Sequence, residues 1–308
     1  MVIGGMPEVV ASYTKTNDFN EAFRVQKKII SDYQSDISKH AKGEEKTKVR
    51  ACYDSIHKQL ARELKRFQYS FVEKKQTSRK YGGSVKWLID SGLVNACYNV
   101  REPYIPLMAN EIEGQFKMYI NDTGLLTEMY GREAKIGILN NTIKGNAREA
   151  VYENVVAESL VKRGYTLHYY KPDDDHELEF LIEKDGTVVP IEVKAGNNPS
   201  ASLNAFIKDF SPSVAYKLVS GNIGVAEKND VTLYGDVYLN FQKKPTIFIG
   251  LFIDVAYHAY GRSWTFHKFF FKNFSREPSR LYLCLVSFYV INKANCFRFT
   301  FAKKRKDY

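Results

Sequence analysis

Two alternating stretches face each other across a turn, and they constrain the fold more than any other feature. In Glu177-Leu178-Glu179-Phe180-Leu181-Ile182 the apolar residues 178, 180 and 182 take one side of an extended strand, and Glu177 and Glu179 take the other. In Pro190-Ile191-Glu192-Val193-Lys194 the apolar residues 191 and 193 point inward, and Glu192 and Lys194 share the opposite side. Lys184-Asp185-Gly186 between them reads as a tight turn, so the two strands form a hairpin that carries Glu179 toward Glu192 and Lys194. Carboxylates gathered on one side repel one another unless a cation sits between them. Mg²⁺ suits such a place, because it takes oxygen ligands and keeps several waters. A lysine two residues past the acid can hold an attacking water or neutralise a developing oxyanion. The plainer alternative is a solvated strand face with an ordinary neighbouring ion pair, worth little.

The flanking pattern supplies the rest of an α/β sandwich. A helix over residues 146–162, ended by Gly164, has the apolar stripe Tyr152, Val155, Val156 and Leu160. Glu153 sits at the edge of that stripe and can lean toward the sheet, with Glu149 one turn earlier; Glu158 falls on the far face and is expected in solvent. Strands are expected over 166–171 and 214–219 and a helix over 201–210. Asp173-Asp174-Asp175-His176 reads as a polar turn rather than a metal cluster, and His168 as structural. Upstream, helices over 8–13, 20–38, 49–60 and 80–89 are followed by strands over 93–100 and 116–120. Helices followed by a hairpin are the layout of a winged helix, which can place a helix in the DNA major groove. Arg79, Lys80 and Lys86 would be its basic face; the alternative is that the unit only joins modules or packs on a partner.

Charge sharpens the domain reading. The net +10 resides in the tail, which has 13 Lys and Arg against 3 Asp and Glu from Phe241 on, leaving 32 of each sign before it. The tail also holds 18 of the aromatic residues in its 68 positions, against 25 in the preceding 240. Basic residues interleaved with aromatics can bind single-stranded nucleic acid, but a segment of poor local consistency is the stronger expectation for 241–308. Cys52, Cys97, Cys284 and Cys296 lack paired metal spacing, so zinc is not expected. No apolar run reaches the roughly 18–20 residues of a membrane span, and no signal peptide is visible. The expected setting is cytoplasmic, with no membrane partner.

Glu153, Glu179 and Glu192-Val193-Lys194 together resemble the PD-(D/E)XK nuclease pattern of restriction enzymes and Holliday-junction resolvases. The chain more specifically resembles the C-terminal region of a large family of bacterial and archaeal AAA ATPases. The resemblance runs through Gly4-Gly5-Met6-Pro7-Glu8-Val9-Val10, Trp87-Leu88-Ile89-Asp90-Ser91-Gly92-Leu93-Val94, Tyr119-Ile120-Asn121-Asp122-Thr123-Gly124-Leu125-Leu126, Tyr152-Glu153-Asn154-Val155-Val156-Ala157, Glu177-Leu178-Glu179-Phe180-Leu181-Ile182 and Pro190-Ile191-Glu192-Val193-Lys194-Ala195-Gly196, in family order over roughly residues 1–240. It implies a helical linker or ATPase-lid remnant over 1–42, a winged-helix-like domain over 43–145, a restriction-endonuclease-like domain over 146–240 and a non-family tail over 241–308. It implies Mg²⁺ at Glu153, Glu179 and Glu192 with Lys194 assisting, DNA as partner, and cleavage or binding of a phosphodiester backbone. The competing expectation is a non-catalytic DNA- or protein-binding module that targets or regulates a separate ATPase subunit. The chain has no GxxxxGK[ST] phosphate loop, so ATP is expected only through an N-terminal module absent from this sequence, by truncation, a mis-called start or a split protein. One departure concerns Glu179, where the family most often has Asp; the extra methylene moves the carboxylate by about 1.5 Å.

Overall fold

The computed structural model describes residues 1–195 except Lys42 and Gln76, residues 200–219, and the backbone of two strands over 224–228 and 231–235. The stretch 241–308, expected from the sequence to be an aromatic, basic tail, lies outside the described residues.

The N-terminal half is helical for local reasons. Helix α1 (Pro7–Thr16) opens on proline, whose missing N–H is harmless at a helix start, and closes on Asn17 in the left-handed conformation. Helix α2 (Phe19–His40) is capped by Asp18, whose carboxylate accepts the Asn20 N–H at 2.8 Å. Helices α3 (Glu45–Leu60) and α4 (Ser78–Asp90) follow, then strands β1 (Val94–Val100) and β2 (Glu111–Ile120). Two helices that the hydrophobic pattern did not announce come next, α5 (Thr123–Tyr130) and α6 (Arg132–Leu139). Asp122 caps α5, accepting the Leu125 N–H at 3.0 Å. The second position of α5 must be glycine: a Cβ on Gly124 would lie 2.5 Å from both the Gln26 amide nitrogen and the Ile3 carbonyl oxygen. That close approach seats the N-terminal segment. Gln26 donates to the Val2 and Ile3 carbonyls at 2.7 and 2.9 Å, and the Gly5 N–H donates to Asp122 at 2.5 Å.

The second half builds the sheet. Helix α7 (Asn146–Val161) leads into β3 (Leu167–Tyr170), β4 (Leu178–Lys184) and β5 (Thr187–Val193). Asp185 and Gly186, with φ of 51° and 75°, make the tight β4–β5 turn that the sequence indicates. Helix α8 (Ala201–Phe210) and strands β6 (Val214–Leu218), β7 (Gly224–Lys228) and β8 (Val231–Gly235) complete the described chain. The sheet is mixed, in the order β2-β1-β3-β4-β5-β6-β8-β7. The hairpin β1–β2, read from the sequence as the wing of its own domain, belongs to this sheet, because β1 pairs in parallel with β3 through Cys97, Tyr98 and Asn99. One sheet thus takes strands from both sides of residue 145, within a single compact unit over Met1–Leu239. The fold is α/β, a helical N-terminal part followed by a sheet.

Helix α7 is the hub. Its residues from Ala150 to Glu158 are all buried, together with Leu160, so it is enclosed on almost every side. Glu158, expected in solvent, is buried instead and accepts both the N–H and the hydroxyl of Thr123 at 2.9 Å. The face of α7 opposite the sheet is covered by the start of α5, which an amphipathic reading of α7 alone does not foresee. Asn154 is fully buried and clasps the end of β2. Its oxygen accepts the Ile120 N–H at 2.9 Å, and its nitrogen donates to the Ile120 carbonyl and the Thr123 hydroxyl, each at 3.0 Å.

Asn154→Ala is expected to lower stability by about 2–4 kcal/mol, because it leaves the Ile120 N–H and carbonyl without partners in the interior. Urea denaturation monitored by circular dichroism checks this; an unchanged midpoint contradicts the role assigned to the clasp.

Candidate functional site

The hairpin delivers three of the expected residues to one place. Phe180 lies opposite Ile191, and Glu179 and Glu192 are the next residues along their strands. The Glu179 carboxylate accepts the Val193 N–H at 3.0 Å and the Lys194 ammonium at 2.9 Å. Lys194 also stands 3.7 Å from Glu192, and its own N–H donates to the Leu218 carbonyl of β6 at 2.8 Å, which fixes the residue just past β5. Burial pushes the Glu179 carboxyl up to about 7, against the pull of Lys194 and with a further push from Glu153. Lys194 is drawn down by its own burial, but Glu179 and then Glu192 outweigh this and hold it above the ordinary lysine range.

Glu192 is the anomaly. It is fully buried, and neither carboxylate oxygen has a hydrogen-bond partner among the described residues. Buried carboxylates are normally paired and hydrogen-bonded; the Lys194 ammonium stands near Glu192 but at 3.7 Å, beyond hydrogen-bonding distance.

Glu153 faces the sheet as expected, but its carboxylate is already engaged. It accepts from Lys65 at 2.6 Å and from the Tyr119 hydroxyl at 2.9 Å, with the Lys117 ammonium 3.8 Å away. Burial would raise this carboxyl; Lys65 and then Lys117 outweigh it and hold it down at about 2. Lys117, itself buried, pairs with Glu177, which also lies 3.7 Å from Lys171. Burial would lower Lys117, yet Glu177 and Glu153 keep it protonated, above the ordinary range. Among the described residues no three acidic, histidine or cysteine side chains converge closely enough to hold a metal ion. The expected trio is therefore not assembled, because lysines occupy the coordination space around Glu153. Glu192, whose oxygens are not hydrogen-bonded, and Glu179, whose two oxygens Val193 and Lys194 engage, are the carboxylates left to meet Mg²⁺, an ion often held by one or two carboxylates together with waters and substrate phosphates.

Lys65, Lys117 and Tyr119 went unread in the sequence. Lys117 was visible as a charge inside the apolar run Phe116-Lys117-Met118-Tyr119-Ile120; Lys65 lies between regular elements and gave no signal. Asp173 closes a polar turn, accepting the N–H groups of Asp175 and His176 at 2.9 and 2.8 Å. His168 is buried 3.0 Å from Glu111. On α4, Arg79, Lys80 and Lys86 are exposed as expected. Two of them are partly neutralised, Lys86 by Asp90 at 3.0 Å and Lys80 by Glu73 at 3.6 Å.

Glu153→Gln leaves Lys65 and Lys117 short of counter-charge in the interior and is expected to cost about 3–5 kcal/mol at neutral pH. A carboxyl held at about 2 contributes its full stability above the ordinary value of 4.5 and loses it as pH falls toward 2. Below pH 4.5 the wild-type melting temperature is therefore expected to fall more steeply than that of the variant. Thermal melts across this range check the slope, and parallel curves contradict it.

Comparison with known proteins gives two domain matches. Residues 1–136 match the domain of unknown function DUF8612, and residues 148–241 match the domain of unknown function DUF4143. Uncharacterized proteins of Mycobacterium bovis and Mycobacterium tuberculosis are each 30% identical over 86 residues, 28% of this chain. The matched segment spans only 19% of each relative's length. No solved structure matches. The DUF4143 domain is commonly found in the C-terminal region of AAA-ATPase-associated proteins, and the two matches together span nearly the whole stretch over which the sequence resemblance runs.

Proposed function

We propose that this chain is the DNA-processing portion of an AAA-ATPase-associated protein, with a PD-(D/E)XK-type site that hydrolyses a phosphodiester bond with Mg²⁺. The observation that carries this reading is the buried Glu192 carboxylate, unpartnered beside Glu179, with Lys194 at hand. Glu179 and Glu192 would hold the ion, which supplies charge neutralisation at the phosphate and a more acidic water. The chain's own groups do the remaining work. Lys194, fixed through its backbone to β6, places an ammonium where negative charge develops. Glu153 acts at one remove, through its field on Glu179 and Lys194, and as the clamp that ties α7 to β2 through Tyr119. The α4 face with Arg79, Lys80 and Lys86 would contribute backbone contacts to DNA.

One observation favours a second reading. Both Glu179 oxygens are already engaged, by Val193 and Lys194, and this internal closure also suits a module that binds DNA or a separate ATPase subunit without cutting.

Cleavage of linear and branched DNA with and without Mg²⁺ separates the two. The hydrolytic reading expects Mg²⁺-dependent cutting that falls at least about a hundredfold in Lys194→Ala and is lost in Glu192→Gln. Equal cutting by Lys194→Ala and wild type, or no cutting by wild type, overturns it.

A further inference from the structure

A cleft of about 200 Å³ opens between the loop that follows β3 and helix α8. Its walls carry the rings of Tyr170, Phe206 and Phe210 and the carboxylates of Asp173, Glu177 and Asp209, with His176 beside Asp173 and no lysine or arginine among the described lining residues. The rings form one cluster, with centroids 4.7 Å apart for Phe206 and Phe210, 5.8 Å for Tyr170 and Phe206 and 5.7 Å for Tyr170 and Phe210. Tyr104, 59% exposed, extends this wall with its ring 6.1 Å from that of Phe210. The local field is negative: after burial, Asp209 and Asp173 are the groups that most raise the Tyr170 hydroxyl, with Tyr104 and Glu102 adding to it.

We infer that this cleft receives an arginine side chain from a basic segment of a protein partner. Aromatic faces flanked by carboxylates attract a cation and repel phosphate, which sets the cleft apart from a nucleic-acid surface. The occupant is arginine because a planar guanidinium stacks on aromatic rings while donating two parallel hydrogen bonds to a carboxylate. Asp209 is exposed on α8 and has no hydrogen bond or ion pair among the described residues, whereas Asp173 is partly used in closing its turn, and Glu177 is turned to Lys117 and Lys171. The volume is that of a single side chain rather than of a folded element.

The full chain is titrated into a fluorescein-labelled glycine–serine nonapeptide with one central arginine, and into the same peptide with citrulline, the neutral near-isostere. Fluorescence anisotropy at low salt is expected to show the arginine peptide binding at least about tenfold tighter. Asp209→Asn, with an unchanged circular dichroism melt, is expected to weaken the arginine peptide by about fivefold and leave the citrulline peptide unaffected. Equal affinity for the two peptides, no binding up to about 1 mM, or an Asp209→Asn variant that binds as wild type each overturns the inference.

Discussion

Taking a carboxylate or an ammonium out of water costs several kcal/mol, repaid only where an opposite charge and hydrogen bonds are waiting. The interior of this chain does so repeatedly. Lys117, Lys65, Glu153, Glu179 and Glu192 are all buried. Such an arrangement stands only if the elements that carry the charges meet in one register. Glu153 comes from α7, Lys117 and Tyr119 from β2, Lys65 from the segment after α3, and Glu177 from the start of β4. The carboxylate of Glu153 thus specifies how the helical half meets the sheet. Asn154 and Glu158, on the same helix, fix β2 and α5 by hydrogen bonds to backbone. One enclosed helix with three polar side chains sets the geometry on which the candidate site rests.

Within this network every charge stands near an opposite one, but not every charge is hydrogen-bonded. Glu153 is saturated by lysine and tyrosine, Glu177 by two lysines, and Glu179 by Lys194 and a backbone N–H. Glu192 is equally buried and lacks any hydrogen bond among the described residues. Its nearest counter-charge among the described residues is the Lys194 ammonium at 3.7 Å. The interior lysines and Tyr119 engage the oxygens of Glu153 in holding the fold.

The hairpin was legible because its period is two and its turn is Asp-Gly, and both signals are local. Alternation set Glu179, Glu192 and Lys194 on one side, but it also set Leu178 with Phe180 and Ile182. There the strand departs from it: Leu178 packs with α8 while Phe180 and Ile182 pack with α7, where the β3–β4 register shifts. What alternation could not reveal was competition. Lys117 lies some sixty residues before Glu177 in the chain, and Lys65 more than eighty before Glu153, so no window on either acid contains its partner. Helix α5 was missed because its identity rests on a capping aspartate and a close approach at Gly124, neither of which has a hydrophobic period. The wing-like hairpin was found, but its outer pairing with β3 is a long-range contact that no local pattern encodes.

The most direct test is Mg²⁺ binding to the intact chain by isothermal titration calorimetry in the absence of DNA. One ion per chain is expected for wild type, with binding abolished when Glu192 is replaced by glutamine and retained when Glu153 is replaced by glutamine. Identical binding in wild type and the Glu192 variant, or no binding to either, contradicts a cation seat at the Glu179–Glu192 pair.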